Sequence, residues 1–571
     1  MTTLFRGLPA APGVGIGQLF IYRTWHLAAL TTASGPAADP DDEWQRFRAA
    51  QQAVDDELAE LIQADNNLNL IADIFAAQRV ILHDQTLVQA MREAIYQDRQ
   101  PVLNATQTVI NHLADLFRNL GDDYLAGRAI DILDIGQRLL KQMDAPVIDP
   151  QPGRQIPPGA LVIARDLTFS EITQLPFDHI AGIALAESTP TAHSAILARS
   201  LGIPLVCTLG EGILLLAPDQ PAILDGHEGY LLAAPTAEEV TIHQAKRQAE
   251  ADDRVSAEAH AHEPAYTSDG LLVFVLANAN NPEDIIQAQA HGADGVGLLR
   301  TEYLFQNRTD PPTFEEQVDT YRYFVEQMAG RQLTVRALDI GGDKPMPYLV
   351  CGHEANPFLG LRGIRLLLAK PELLVTQYCA LWQAAVDSCV TELRFMLPMI
   401  STVEEVRSVR RLLAEAVPAD QAAMIKIGVM IEVPSAALIA DHIAPLVDFF
   451  SIGTNDLAQY TLATDRTNSS VAALADPLHP AVLRLIQLTC QAGAAQGIPV
   501  SICGEIGGDP QAIPLLLGLG LNELSVPVLA APLVKAAVRR STQAACRALA
   551  AQALACPDSS AVRALLATVD S

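Results

Sequence analysis

The sequence predicts a multidomain α/β chain: a small α/β domain carrying an inserted helical subdomain, then a linker helix, then a C-terminal (β/α)8 TIM barrel. Three observations predict it. From about residue 270, apolar β-rich runs alternate with stretches long enough for a helix, eight times in about 300 residues. Residues 41–144 instead space their apolar side chains three and four apart. Residues 145–230 hold short β-rich runs around a single helix. The expected division is 1–22 with 145–235 for the α/β domain, 23–144 for the helical subdomain, 236–262 for the linker helix and 263–571 for the barrel.

Residues 1–22 read as a turn followed by a strand. The run G-V-G-I-G from Gly13 to Gly17 could suggest a dinucleotide loop. Q-L-F-I-Y continues it as extended chain and no helix opens there, so it reads as a tight turn beside a sheet. Trp44, Phe47, Val54, Leu58 and Leu61 then recur at helical spacing, and further helices are expected over Leu68–His83, Thr86–Gln97, Val102–Asn119 and Asp122–Met143. Pro101 and Gly121 punctuate them.

A-L-V-I-A (160–164), I-A-G-I-A-L (180–185) and P-A-I-L-D (221–225) are the strands of the α/β domain, which the first strand joins. Residues 236–260 are polar with little apolar face, as a helix between domains should be. The eight barrel strands are expected in L-L-V-F-V-L-A-N, G-V-G-L-L-R, L-T-V-R-A-L-D-I, L-R-F-M-L-P-M-I, I-G-V-M-I-E-V, D-F-F-S-I-G, I-P-V-S-I-C and N-E-L-S-V-P.

Composition narrows the function. The net charge of -28 argues against nucleic acid and against an anionic membrane, and suits a basic protein partner. The 8 cysteines include no C-x-x-C pair, so neither a zinc site nor a redox motif is signalled. Residues 1–20 lack the charged, apolar, small-residue order of a signal peptide. The most apolar stretch, Ile513 to Val534, is interrupted by Pro514, Asn522, Glu523 and Pro532 and makes a poor membrane span.

Polar residues fall where the barrel strands end: Arg300, Arg336, Glu432, Asn455, Asp456, Cys503 and Glu505. Strand C-termini converge on one mouth, so these residues can share a pocket. Glu432 and Asp456 end neighbouring strands and offer two hard oxygen ligands, which suit Mg2+; pairing with nearby arginines is the alternative. Arg300, Arg336, Arg362 and Arg466 suit a small dianion bearing carboxylate and phosphate. Cys503 is placed either to protonate an enolate or to lie inert in the core.

In T-A-H-S-A-I-L-A-R (191–199), Pro190 precedes a helix start, Thr191 can cap it, and Gly202 ends it. His193 therefore sits in the first turn. The helix dipole there disfavours the imidazolium, and the free N–H groups favour an attached phosphate. A neutral imidazole is the nucleophile that phosphoryl transfer requires.

These residues lie in long, specific motifs: L-P-A-A-P-G-V-G-I-G, D-D-Y-L-A-G-R-A-I-D-I-L-D-I-G-Q-R-L-L, T-A-H-S-A-I-L-A-R-S-L-G-I-P, G-V-G-L-L-R-T-E-Y-L-F, A-L-D-I-G-G-D-K, N-P-F-L-G-L-R-G-I-R, F-F-S-I-G-T-N-D-L-A-Q-Y-T-L-A-T-D-R and C-G-E. In them the chain resembles, nearly end to end, Enzyme I, the phosphoenolpyruvate–protein phosphotransferase of the bacterial sugar transport system. The resemblance implies autophosphorylation of His193 by phosphoenolpyruvate, with release of pyruvate, and transfer to a histidine of an HPr-like phosphocarrier protein. It implies phosphoenolpyruvate contacts from Arg300, Arg336, Asn455, Asp456 and Arg466, with Asn356 and Arg362 nearby. It further implies Mg2+ on Glu432 and Asp456, and Cys503 as the acid that protonates the pyruvate enolate. A cytoplasmic homodimer formed through the barrel, with no nucleic acid and no membrane, completes that picture.

Two departures from the family stand out. Ser188 and Thr189 occupy positions where two glycines are usual. Around 64–84 the chain has few acids, and Gln78 replaces a histidine common where the carrier docks. Pyruvate phosphate dikinase and phosphoenolpyruvate synthase share two of the expected domains but need an ATP-binding domain, and residues 21–144 hold no P-loop.

Overall fold

The computed structural model describes residues 2–22, 39–64, 75, 78–119, 123–143, 155–168, 171–172, 175–189, 192–306, 308, 310–341, 348, 354, 356–388, 392–418, 424–466, 471 and 474–568. The chain divides into two compact units, one from Met1 to Ala251 and one from Asp252 onward.

The first unit is built on a mixed sheet of eight strands: β1 (Thr3–Arg6), β2 (Leu8–Ala11), β3 (Val14–Ile21), β4 (Ala160–Ala164), β5 (Ile180–Leu185), β6 (Leu205–Cys207), β7 (Pro221–Asp225) and β8 (Tyr230–Ala233). Their order is β1-β8-β7-β3-β4-β5-β6-β2, and β3 to β6 run parallel. The N-terminal strands thus share a sheet with residues 160–233. The glycine run is mainly strand, which corrects the expected turn. Only Gly13, at φ +123, turns. Gly15 and Gly17 lie in β3 because a Cβ would come within 2.4 Å of the Ala181 carbonyl oxygen and 1.9 Å of that of Gly159.

Between β3 and β4 the described residues are helical: Pro40–Ala64, Gln85–Tyr96, Val102–Asn119 and Asp123–Gln142. Phe47, Val54, Leu58, Met91, Ile110 and Ile135 are buried together between them. Glu43 turns inward to accept the Val102 N–H at 2.8 Å, satisfying a donor at the start of its helix. Most of the helix expected over Leu68–His83 lies outside the described residues, although residues 78–82 are helical. Gln78 is buried and donates to Asp134 Oδ2 at 2.7 Å. Its side chain therefore holds the helices together and does not face a partner, which removes one reason to expect an altered docking surface.

The helix Ala237–Ala259 buries only Ala257. Its first half is tied to the sheet by Lys246 on Asp225 at 2.7 Å and by His243 on the Tyr230 hydroxyl at 2.7 Å.

The second unit opens with β9 (Ala265–Tyr266). The strands β10 (Leu272–Ala279), β11 (Val296–Leu299), β12 (Leu333–Arg336), β13 (Leu393–Leu397), β14 (Ile425–Ile431), β15 (Phe449–Ile452), β16 (Val500–Ile502) and β17 (Glu523–Pro527) follow. Each pairs in parallel with the next, and β10 pairs with both β11 and β17, so the eight close into a barrel. All eight expected strands are present, and helices pack outside them.

Side chains alternate about the barrel wall. Phe450 and Ile452 join the large core shared with the helices, whereas Phe449 clusters with Leu298, Met396, Met430 and Cys503 in the interior. Gly428 permits this, since a Cβ there would lie 2.4 Å from the Phe449 ring. Also buried, Arg394 pairs with Glu523 at 2.8 Å, and its guanidinium carbon stands 5.2 Å from the Phe449 ring centroid. Among the described residues, no helix is long and apolar enough to cross a membrane.

An ion pair taken out of water is costly to break from one side only. Arg394→Met should therefore lose about 3 kcal/mol or more of unfolding free energy, and adding Glu523→Leu should restore much of it. Denaturant titration of the single and double variants checks this.

Candidate functional site

The strand-end residues meet where the barrel strands terminate. Arg362 is buried and forks onto Asp339, with Nε and Nη2 each 3.1 Å from a carboxylate oxygen. Its Nη1 also reaches Asp456 Oδ1 at 3.0 Å and the Tyr460 hydroxyl at 3.2 Å. Arg336 donates to Glu302 Oε1 at 2.9 Å and lies 3.4 Å from Asp339. Burial alone would lower the Arg336 pKa, but Glu302, Asp339 and Glu432 together raise it. Arg466 Nη2 is 3.6 Å from Asp456 Oδ2. The alternative of arginine pairing is therefore realised for Asp456. That residue lies in the first turn of the helix Thr454–Leu462, just beyond β15.

Two members are left out of balance. Glu432 is 1% exposed and accepts the Met399 N–H at 2.6 Å. Met399 is held at φ +57 to present that donor, a conformation sustained only by its surroundings. Burial, then the charges of Asp456 and Asp339, push the Glu432 carboxyl up to about 8 against the pull of Arg362 and Arg336. Arg300 shows the opposite deficiency. It hydrogen-bonds the neutral Asn280 at 2.9 Å, and among the described residues no carboxylate lies within ion-pair distance of it. Burial, then Arg336, lower its pKa. The mouth thus contains crowded carboxylates on one side and, among the described residues, a guanidinium with no carboxylate in ion-pair contact on the other. A divalent cation would relieve the first and an anion the second.

Cys503 is 4% exposed, above the apolar layer, with Sγ 3.6 Å from the Ile452 carbonyl oxygen. Burial pushes its thiol up to about 11, so it stays protonated at neutral pH. The next residue must be glycine: a Cβ on Gly504 would come within 1.7 Å of Thr454 Oγ1. Asn455 faces Glu505, accepting its N–H at 3.3 Å. Asn356 stands apart. It begins the short turn Pro357–Leu359, is exposed, and makes no hydrogen bond to the cluster among the described residues.

Asp339 and Glu302 escaped the sequence reading, although both follow its strand-end rule. Asp339 lies three residues beyond Arg336, and Glu302 two beyond Arg300. Glu302 Oε1 accepts from both Arg336 and the Asp339 N–H, which fixes one loop against the other.

In the first unit, the helix His193–Ser200 follows β5 at the C-terminal edge of the parallel strands. His193 is its first residue, as expected. The cap differs from expectation: Ala192 occupies it without a side-chain bond, and Thr191 lies outside the described residues. Arg199 pins the helix to β2 with two bonds to the Ala10 carbonyl oxygen, at 3.0 and 2.7 Å.

Comparison with known proteins matches each part. Residues 254–543 match the PEP-binding domain of PEP-utilising enzymes, 6–128 their N-terminal domain and 156–229 their mobile domain. A phosphoenolpyruvate-protein phosphotransferase of Bacillus subtilis (strain 168) is 37% identical over 531 residues, covering 91% of each chain. The chain belongs to the phosphoenolpyruvate-protein phosphotransferase family. Another member, from Listeria monocytogenes serovar 1/2a, is 36% identical over 563 residues, 97% of each chain. A multiphosphoryl transfer protein of Xanthomonas campestris pv. campestris is 40% identical over 568 residues, 98% of this chain. The chain spans 66% of that protein's length.

Thiolate is the reactive form of cysteine, so alkylation reports the Cys503 pKa. With a folded pKa of about 11 against an ordinary 9.0, iodoacetamide should modify Cys503 about 100-fold more slowly near pH 8 than an exposed thiol. The rate should climb about tenfold per pH unit toward pH 11. Peptide mapping after timed alkylation checks this.

Proposed function

We propose that the chain takes the phosphoryl group of phosphoenolpyruvate onto Nε2 of His193, releases pyruvate, and passes the group to a histidine of an HPr-like phosphocarrier. This is the first step of the sugar phosphotransferase system. The observation that carries the site assignment is the paired charge deficiency at the barrel mouth. Phosphoenolpyruvate supplies the missing anion, and Mg2+ on Glu432 and Asp456 the missing cation. The fit to Mg2+ rests on two buried hard carboxylates, one of them driven toward protonation by burial and then by its neighbour. Held by Glu432 and Asp456, the ion would supply positive charge to offset that of the phosphoryl group.

Arg300 and Arg336 bind the anionic groups of the substrate, with Asn455 and Arg466 at the rim and Arg362 holding Asp339 and Asp456 in place. Asn356 joins this set through its loop. The bridging P–O bond of phosphoenolpyruvate breaks as the N–P bond to His193 forms, and the electron pair stays on the leaving oxygen as an enolate. Cys503 then gives its proton to the enolate carbon, which leaves pyruvate and a thiolate. The raised thiol pKa supports this role, because the acid must still hold its proton at neutral pH.

The proposed division is a phosphohistidine domain of 1–22 with 145–235, a carrier-docking subdomain of 23–144, a linker helix of 236–262 and a phosphoenolpyruvate-binding barrel of 263–571. A cytoplasmic homodimer joined through the barrel completes the reading.

Incubation with labelled phosphoenolpyruvate and Mg2+ tests it. Wild type should gain one acid-labile phosphoryl group, and His193→Ala none, with circular dichroism unchanged. Retained labelling in His193→Ala would remove the assignment. Glu432→Ala and Asp456→Ala should each slow labelling about 100-fold or more at millimolar Mg2+. Initial rates across a Mg2+ titration measure that loss.

A further inference from the structure

The backbone that carries Arg300, Arg336 and Asp339 is held by a buried set of side chains that includes none of these three. In the β11–β12 ladder Leu299 is paired with Val335, and on the β13 side the Ala337 N–H donates to the Met396 carbonyl at 2.8 Å. Beyond these bonds the strand ends still bring polar backbone groups away from water, since Thr301, Ala337 and Leu338 are all buried. Side chains take over there. The Thr301 hydroxyl donates to the Arg336 carbonyl at 3.1 Å. Gln377, in the helix Pro371–Ser388, accepts the Leu338 N–H at 2.9 Å. Its Nε2 donates to the Thr301 hydroxyl at 3.0 Å and to the hydroxyl of Tyr321, in the helix Phe314–Met328, at 3.1 Å. Gln377 and Tyr321 are fully buried.

We propose that Gln377 is a positioning residue for phosphoenolpyruvate: through Thr301 and the Leu338 N–H, its amide fixes the two strand ends that present Arg300 and Arg336 to the substrate. The inference rests on the reading that these arginines bind the substrate's anionic groups. The directions of the bonds are set by their end groups. A backbone N–H only donates, so the Gln377 carbonyl oxygen faces Leu338 and the NH2 group faces the two hydroxyls. A backbone carbonyl only accepts, so the Thr301 proton points to Arg336 and the Thr301 oxygen receives the amide. One side chain thereby ties the end of β11 to the end of β12.

The same segment is also gripped by Glu302, whose Oε1 accepts the Asp339 N–H at 3.0 Å and Arg336 Nη2 at 2.9 Å. Glu302 acts on the arginine side chain, whereas Gln377 acts on the backbone beneath it. Without the amide, the buried Leu338 N–H and Thr301 oxygen lose their partner, and the strand ends must shift or admit water to replace it. Such a shift moves the Arg300 and Arg336 guanidinium groups relative to each other. A misplacement of about 1 Å, even from a change remote from the reacting atoms, is enough to weaken transfer severely.

The test is single-turnover labelling of the full chain with phosphoenolpyruvate and Mg2+, read as two quantities: the fraction of protein labelled and the phosphoenolpyruvate concentration giving half the maximal rate. Gln377→Met keeps the bulk and removes the amide. Thr301→Val keeps the shape and removes the hydroxyl, and Thr301→Ser restores it. Gln377→Met and Thr301→Val should each raise the half-saturating concentration about tenfold or more, with the labelled fraction still full. Thr301→Ser should stay near wild type. A purely structural role would lower the labelled fraction or the melting temperature and leave the half-saturating concentration where it was. An unchanged half-saturating concentration in Thr301→Val, or in a folded Gln377→Met, would overturn the inference, as would equal losses in Thr301→Ser and Thr301→Val. Should Gln377→Met fail to fold, the two Thr301 variants decide. A wild type that takes no label on His193 would instead overturn the functional reading on which the inference rests.

Discussion

The barrel mouth is organised around buried carboxylates and arginines brought together from the ends of separate strands. Glu432 is buried next to Asp456 and Asp339, while Arg300 bonds the Asn280 amide and, among the described residues, has no carboxylate within ion-pair distance. Such an arrangement costs folding free energy, because desolvated charge is repaid only by close and well-aligned partners. The surrounding pairs keep that cost local. Arg362 spans Asp339 and Asp456, Arg336 spans Glu302 and Asp339, and each carboxylate that serves an arginine is thereby held in one place. Under the proposed function, a cation and an anion bound side by side would meet the charge left over among the described residues.

Holding that arrangement requires close backbone approach at the ends of β14, β15 and β16. A Cβ on Gly453 would sit 3.1 Å from Glu432 Oε2, and one on Gly504 would collide with Thr454. The glycines let neighbouring strand ends draw together so that carboxylates from separate strands face one pocket. Met396, Met430, Phe449 and Leu298 fill the barrel interior in one buried cluster with Cys503. The catalytic chemistry proposed for the thiol and the packing of the barrel are thus the same feature seen from two sides.

Much of this was legible in the sequence because barrel strands announce themselves twice, as apolar runs and by the polar residue that ends each one. Arg300, Arg336, Glu432 and Cys503 were found this way. Asp339 and Glu302 follow the same rule but lie two or three residues further into the loops, where an acid reads as ordinary surface charge. Their importance comes from the arginines they restrain, a relation between distant segments that spacing does not encode. The glycine run of β3 misled for a related reason. Glycine suggests a turn when only φ is considered, yet at Gly15 and Gly17 it is demanded by neighbouring carbonyls from other parts of the chain. Gln78 looked like part of a binding face because its burial against Asp134 depends on a helix 56 residues away. Asp456 was read as a strand-end acid; it lies four residues beyond β15, in the first turn of the next helix, where it pairs with Arg362.

The helix Ala237–Ala259 has one further consequence. Its first half is anchored to the sheet through Asp225 and Tyr230, but from Ala251 to Ser256 every residue is exposed. Hydrogen bonds in such a stretch are held by helix propensity and little else, since no apolar face is lost to water when they open. In solution these amides should exchange their hydrogens far sooner than those of the barrel strands or of β3 to β6. A brief unwinding of one or two turns there would expose almost no new hydrophobic surface, so the chain can absorb torsion at this place without disturbing either core.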